Sequence, residues 1–124
     1  MGYVIKELEV EGDRGKARIQ ALFDTGAAQS LIRRDRVESI ATLITLPHPL
    51  VFTLGDGEGI LTAQDAVLLF VTINGITIND QVLVVDKLSE DMIIGARTMQ
   101  GWRIKLDLEK EEVILDPSVA RLRL

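Results

Sequence analysis

Ala21-Leu22-Phe23-Asp24-Thr25-Gly26-Ala27-Ala28-Gln29-Ser30-Leu31-Ile32 is the stretch on which the reading of the fold turns. An apolar run delivers a carboxylate, a hydroxyl and a glycine into a sharp turn, and a second apolar run leaves it. Upstream, Lys16 to Phe23 first alternates in polarity and then becomes wholly apolar as it nears Asp24, the pattern of a strand passing from the surface into the centre. A strand of that kind would hold an acid at the floor of a cleft.

Asp24-Thr25-Gly26-Ala27, with an apolar strand before it and Ser30-Leu31-Ile32 after it, resembles the active-site signature of aspartic proteases, in particular the single-lobed, retropepsin-like kind found in retroviruses and as cellular domains. A second match lies far downstream, where Met92-Ile93-Ile94-Gly95 resembles the hydrophobic-hydrophobic-Gly motif that these proteins place before a short C-terminal helix. Together the resemblance spans about Val4 to Leu115. It implies a mostly β, retropepsin-like barrel with one or two short helices and an active site at a twofold dimer interface.

Composition agrees with a β-rich domain. The 124 residues are expected to form a single domain, 1–124, with a modest core and a surface that favours association. Hydrophobic residues make up 47 % and aromatics 4 %, so the core is aliphatic, and its Val and Ile content leans towards strands. A net charge of -5 without a Lys/Arg run offers little to a phosphate backbone or an anionic membrane, so neither nucleic acid nor membrane is expected as a partner. The absence of cysteine excludes disulfides and thiolate metal sites. Early charge at Lys6 and Glu7 argues against a secretory leader, and a cytoplasmic protein is the default expectation.

Around the central stretch the chain punctuates itself. Gly12-Asp13-Arg14-Gly15 predicts a hairpin turn between two short strands, and Asn74-Gly75 predicts a second between Ala66–Ile73 and Ile76–Val85. From Arg33 to Thr45, Val37, Ile40, Ala41 and Ile44 recur at helical spacing, which predicts a short covering helix stopped by Leu46-Pro47-His48-Pro49. His48, the lone histidine, is read as a surface loop residue. Val51 to Thr62, with Leu54-Gly55-Asp56-Gly57 near its middle, predicts another hairpin. Neither the lysine of a phosphate-binding loop nor the ligand spacing of a calcium loop is present there. A turn of helix is expected over Ala96–Gln100, a strand over Trp102–Leu108, a turn at Glu109-Lys110-Glu111 and a return strand over Glu112–Leu115. Val119 to Leu124 alternates, predicting a terminal strand that would pair with another chain.

Peptide hydrolysis by carboxylates needs one group to deprotonate water while its neighbour gives a proton to the substrate. This chain holds one Asp-Thr-Gly, so the resemblance implies a homodimer in which the second carboxyl is Asp24 of the other subunit, acting on a peptide or protein substrate with no cofactor and no metal. It assigns catalytic roles to Asp24, Thr25 and Gly26, with the Thr25 hydroxyl reaching across the axis and Gly26 leaving backbone N–H groups to hold the carboxylate. Ala27 and Ala28 would run beside the substrate backbone, and Leu54, Gly55, Asp56 and Gly57 would belong to a flap closing over it. Two places depart from retroviral members: Ala28 and Ala96 stand where an acid and an arginine are often paired, and no partner is apparent for Arg97. A catalytically silent, dimeric peptide-binding or scaffolding domain of the same fold is the alternative. A Ser30–His48 hydrolase pair is disfavoured, since Ser30 lacks a Gly-x-Ser-x-Gly turn.

Overall fold

The computed structural model describes residues 2–53 and 59–120. Two antiparallel strands open the chain, β1 (Tyr3–Glu11) and β2 (Lys16–Asp24), in register from Tyr3 opposite Asp24 to Glu11 opposite Lys16. β3 (Leu31–Arg33) leads into one turn of helix, α1 (Arg34–Val37). Then come β4 (Ile44–Thr53), the long β5 (Ile60–Ile73), β6 (Ile76–Val85) and β7 (Met92–Ile94). Helix α2 (Ala96–Gly101) precedes a separate small ribbon of β8 (Lys105–Asp107) and β9 (Glu112–Ile114).

The main sheet runs β1-β2-β7-β3-β6-β5-β4, and a further pairing of β1 with β5 closes its first six strands into a barrel. β5 is long enough to serve two partners on one edge, β4 along Ile60–Ala66 and β1 along Phe70–Thr72. Inward residues alternate with outward ones, as a closed sheet requires. Val4, Val10, Ile19, Phe23, Ile32, Leu69, Ile73, Ile78, Met92 and Ile94 fill the interior. A smaller cluster of Leu31, Ala63, Leu83 and Val85 lies under the β4–β5 arm.

Both short turns form where their residues predict them. Gly12 donates its N–H to the Gly15 carbonyl at 2.9 Å. Asn74 and Gly75 take φ of 50° and 80°, the left-handed pair that a two-residue hairpin needs. The Asn74 amide also reaches the carbonyl of Val113 at 2.7 Å, tying the turn to β9.

The predicted helix over Arg33–Thr45 is corrected to the single turn Arg34–Val37. Val37, Ile40 and Ala41 are buried as the spacing requires, but Ile44 is 60 % exposed and already in β4. The Asp13 carboxylate explains the break: it accepts from the Thr42 N–H at 2.7 Å and the Thr42 hydroxyl at 2.6 Å, drawing the chain off the helical path. Those bonds also hold the Asp13 carboxyl below its ordinary range. Pro47 and Pro49 then sit within β4, where the pairing with β5 slips between Thr45 and Leu50. Proline is tolerated there because β4 is an edge strand whose outer N–H groups face no ladder. His48 is exposed as expected, though on this strand instead of a loop.

The strand expected over Trp102–Leu108 is confined to Lys105–Asp107. Trp102 caps α2 and donates its indole N–H to the Asn79 carbonyl at 3.2 Å, while Arg103 adopts φ 55° and redirects the chain. In the tail, Pro117–Ala120 forms a 3-10 turn and not a strand, and 121–124 lie outside the described residues.

Candidate active site

β7 threads between the strand that enters the Asp24 loop and the strand that leaves it. It runs parallel to β2, Phe23 opposite Ile94, and antiparallel to β3, Leu31 opposite Ile93. The two motifs, 68 residues apart in the chain when Asp24 is counted to Met92, thus become neighbours. Side chains of Phe23, Met92 and Ile94, each at most 1 % exposed, anchor this junction from below.

The loop is stitched to the start of α2 by backbone bonds. Ala96 N–H donates to the Ala27 carbonyl at 2.7 Å, and Arg97 N–H to the Ala28 carbonyl at 3.1 Å. Gly95 N–H donates to the Ser30 hydroxyl at 3.1 Å. Where Ala28 and Ala96 lack a charged pair, main-chain bonds from these same segments hold the two loops together. No buried charge is left without a partner by that change.

Asp24 closes β2 and is half-buried. Its Oδ1 accepts from Gly26 N–H at 2.8 Å, and its carbonyl accepts from Ala27 N–H at 3.2 Å. Its other carboxylate oxygen has no hydrogen-bond partner among the described residues. Thr25 is exposed, with its hydroxyl beside the backbone of Gly2, 3.3 Å from the carbonyl oxygen and 3.4 Å from the nitrogen. Ala27 is half-buried and Ala28 exposed. Leu54, Gly55, Asp56 and Gly57 lie outside the described residues. The arms that lead to them are paired, Leu50 opposite Ala63 through Thr53 opposite Ile60.

Two arginines on the exit side shape the surroundings, and the sequence reading singled out neither. Arg33 donates to the carbonyls of Leu88 and Glu90 at 3.1 and 3.2 Å and to the carboxylates of Asp91 and Asp35 at 3.3 and 2.7 Å. Three of these four acceptors, Leu88, Glu90 and Asp91, belong to the loop between β6 and β7, which one planar guanidinium thereby fixes. Arg34 joins the carboxylates of Asp65 on β5 and Asp86 at the end of β6, at 2.8 and 2.5 Å. Between that loop and the β5 arm lies a cavity of about 640 Å³, with Ile60, Leu61, Lys87 and Leu88 in its walls. The signal available in the sequence was only the pairing of Arg33-Arg34 with a downstream acidic segment.

Ser30 is 3 % exposed, its hydroxyl engaged by Gly95 and Thr98, and His48 is not among its partners. Arg97, whose partner the sequence did not disclose, is exposed and contributes its charge to Asp80 across a second cavity of about 550 Å³. Among the described residues no cluster of metal-ligating side chains occurs.

A model of the Ty3 transposon peptidase family matches residues 6–107. No curated protein matches the chain. Among solved structures it is similar to the retroviral protease-like domain of Ddi1 from Leishmania major, with 19 % identity and a TM-score of 0.62 over 94 % of this chain and 88 % of that one. It is similar also to EIAV protease, solved with the inhibitor HBY-793, with 18 % identity and a TM-score of 0.61 over 84 % of this chain and 91 % of that one. At such identities the likeness is one of fold, and it places the barrel among retroviral protease folds.

Proposed function

The chain belongs to the Ty3 transposon peptidase family, and from that premise we propose that it is an aspartic endopeptidase whose catalytic pair is made of Asp24 from each of two identical subunits. The observation that carries this reading is the threaded loop. It presents the Asp24 carboxyl at the end of a strand whose inner face is buried, one oxygen held by Gly26 N–H and the other without a partner among the described residues.

Two such carboxyls, brought together by a twofold axis, share a proton because both cannot ionise cheaply at short range. The ionised one takes a proton from water as its oxygen attacks the peptide carbonyl carbon. The protonated one gives its proton to the carbonyl oxygen, forming a tetrahedral diol. Collapse of the diol breaks the C–N bond, with a proton passing to the leaving nitrogen. In the dimer Thr25 exchanges its contact with Gly2 for one across the axis. Ala27 and Ala28 offer the edge along which the substrate lies, Ala28 through its N–H, since both carbonyls are already taken by α2. The paired arms of β4 and β5 serve as the base of the flap, to which Leu54, Gly55, Asp56 and Gly57 are assigned.

The silent-domain reading draws support from one observation, the uncharged Ala28 and Ala96. A single experiment separates the two. The protein is incubated with a library of extended, apolar-centred peptides in mild acid, alongside Asp24→Asn, with sedimentation of both. Cleavage by the wild-type dimer alone is expected, and equal activity in the two proteins, or activity in a strict monomer, would sink the assignment.

A further inference from the structure

The geometry points to Asp80 as a positioning residue for the Asp24 loop, acting through a directed chain of two buried hydroxyls. This rests on the proposed role of Asp24. The Thr98 hydroxyl lies 2.5 Å from Asp80 Oδ2 and 2.6 Å from the Ser30 hydroxyl, and Ser30 in turn accepts from Gly95 N–H at 3.1 Å.

The direction of each bond follows from proton counting. An ionised carboxylate can only accept, so Thr98 gives Asp80 its one hydroxyl hydrogen. Thr98 Oγ1 is then left to accept, so Ser30 turns its hydrogen the same way, towards Thr98 Oγ1 and the Asp80 carboxylate on which it also acts. Ser30 Oγ, its own hydrogen committed, accepts from Gly95. Every group in the series Gly95, Ser30, Thr98, Asp80 is thereby assigned one orientation, and the acceptor at the end sets them all. Ser30 and Thr98 are 3 % and 8 % exposed, so water is a poor substitute for a missing partner.

What the chain holds is the loop that carries Asp24. Ser30 ends that loop, and Gly95 begins the segment whose next two N–H groups grip Ala27 and Ala28. Asp80 comes from β6, a strand outside the threaded β2-β7-β3 unit on the far side of β3. It therefore braces the loop against the barrel wall. Arg97, on the same cavity, is the cation that acts on its carboxylate, and Gln81 N–H supplies a further bond.

The test uses two pairs of near-isosteric variants of the full chain. Thr98→Val and Asp80→Leu remove the relay and its acceptor, whereas Thr98→Ser and Asp80→Asn keep a hydroxyl and an acceptor oxygen. With a cleavable peptide, kcat is expected to fall about ten- to a hundredfold in the first pair with KM within about twofold, and to recover in the second. The other reading is amide exchange at Gly95, Ala96 and Arg97, expected to quicken about tenfold in Thr98→Val and to stay at the wild-type rate in Thr98→Ser. Should the wild type cleave nothing, the peptidase reading falls while exchange still decides the brace. Should Thr98→Val fail to fold, Asp80→Asn and Ser30→Ala give the same comparison. Exchange alike in all folded variants, or equal kcat loss in the conservative and disruptive members of each pair, would overturn the proposal.

Discussion

Gly95 lies so close to Gln29 that a Cβ added to it would come within 2.6 Å of the Gln29 carbonyl oxygen and 2.8 Å of that of Ala27. The glycine of the downstream motif is dictated by this approach, because the Asp24 loop passes over it and both obstacles are backbone. Gly95→Ala must push the loop away or strain it. It is expected to lower stability by about 1–3 kcal/mol, the cost of overpacking a close-packed site, and to reduce cleavage more than stability alone explains. Urea denaturation is the check, and a loss within the scatter of surface mutations would show that the loop yields freely.

Arg33→Lys tests the hub that holds the loop between β6 and β7. A lysine ammonium is a point donor and cannot reach two carbonyls and two carboxylates from one plane. Amides of Leu88 to Glu90 are expected to exchange faster, and KM for peptides to rise with little change in kcat. Unchanged exchange there would mean that β3 and β7 fix the loop unaided.

Phe23→Ala removes a large, fully buried side chain from the residue that precedes Asp24 on β2. Its cost is expected near 3–5 kcal/mol, since a residual cavity adds to the lost burial. That is a large fraction of the stability of a domain this size. Guanidinium unfolding would measure it, and a cost below about 2 kcal/mol would show that the junction of β2 and β7 collapses to fill the space.

The pH dependence of stability should carry the signature of Asp80. Burial lifts its carboxyl above the ordinary 3.8, against the bonds from Thr98, Gln81 and Ser30 and the charge of Arg97. The folded state thus holds this proton more tightly than the unfolded chain does. Its stabilising contribution is full below the ordinary value and is lost as pH rises through the raised one. Asp80→Asn cannot titrate, so its melting temperature should gain on the wild type as pH rises from the ordinary carboxylate value through the raised one. A difference that stays flat, or moves the other way, would place Asp80 in a more solvated setting than the structure gives it.

The residues declared a good part of this in advance. Asn74-Gly75 and Gly12 to Gly15 are legible because a turn is decided by the few residues within it, through φ and a single hydrogen bond. The change from alternating to wholly apolar residues along β2 announced a strand entering the centre, and Asp24 at its end is where that reading put the acid. The helix that the spacing predicts over Arg33 to Thr45 shortens to Arg34–Val37 because helical and strand periodicities overlap over so few residues. Asp13, from another part of the chain, then settled the matter at Thr42. The prolines of β4 misled for a related reason, since their cost depends on whether a neighbour needs the missing N–H, and only the position at the sheet edge answers that.

Local chemistry, then, is what the sequence determined alone: the turns, the apolar strands, and the two motifs with the acid that one of them carries. The passage of β7 between β2 and β3, the closure of β1 onto β5, and the run of hydroxyls from Gly95 to Asp80 were decided only in three dimensions. Each joins groups with no periodicity or spacing in common, and their bonds form only after a closed barrel has excluded the water that would otherwise satisfy them.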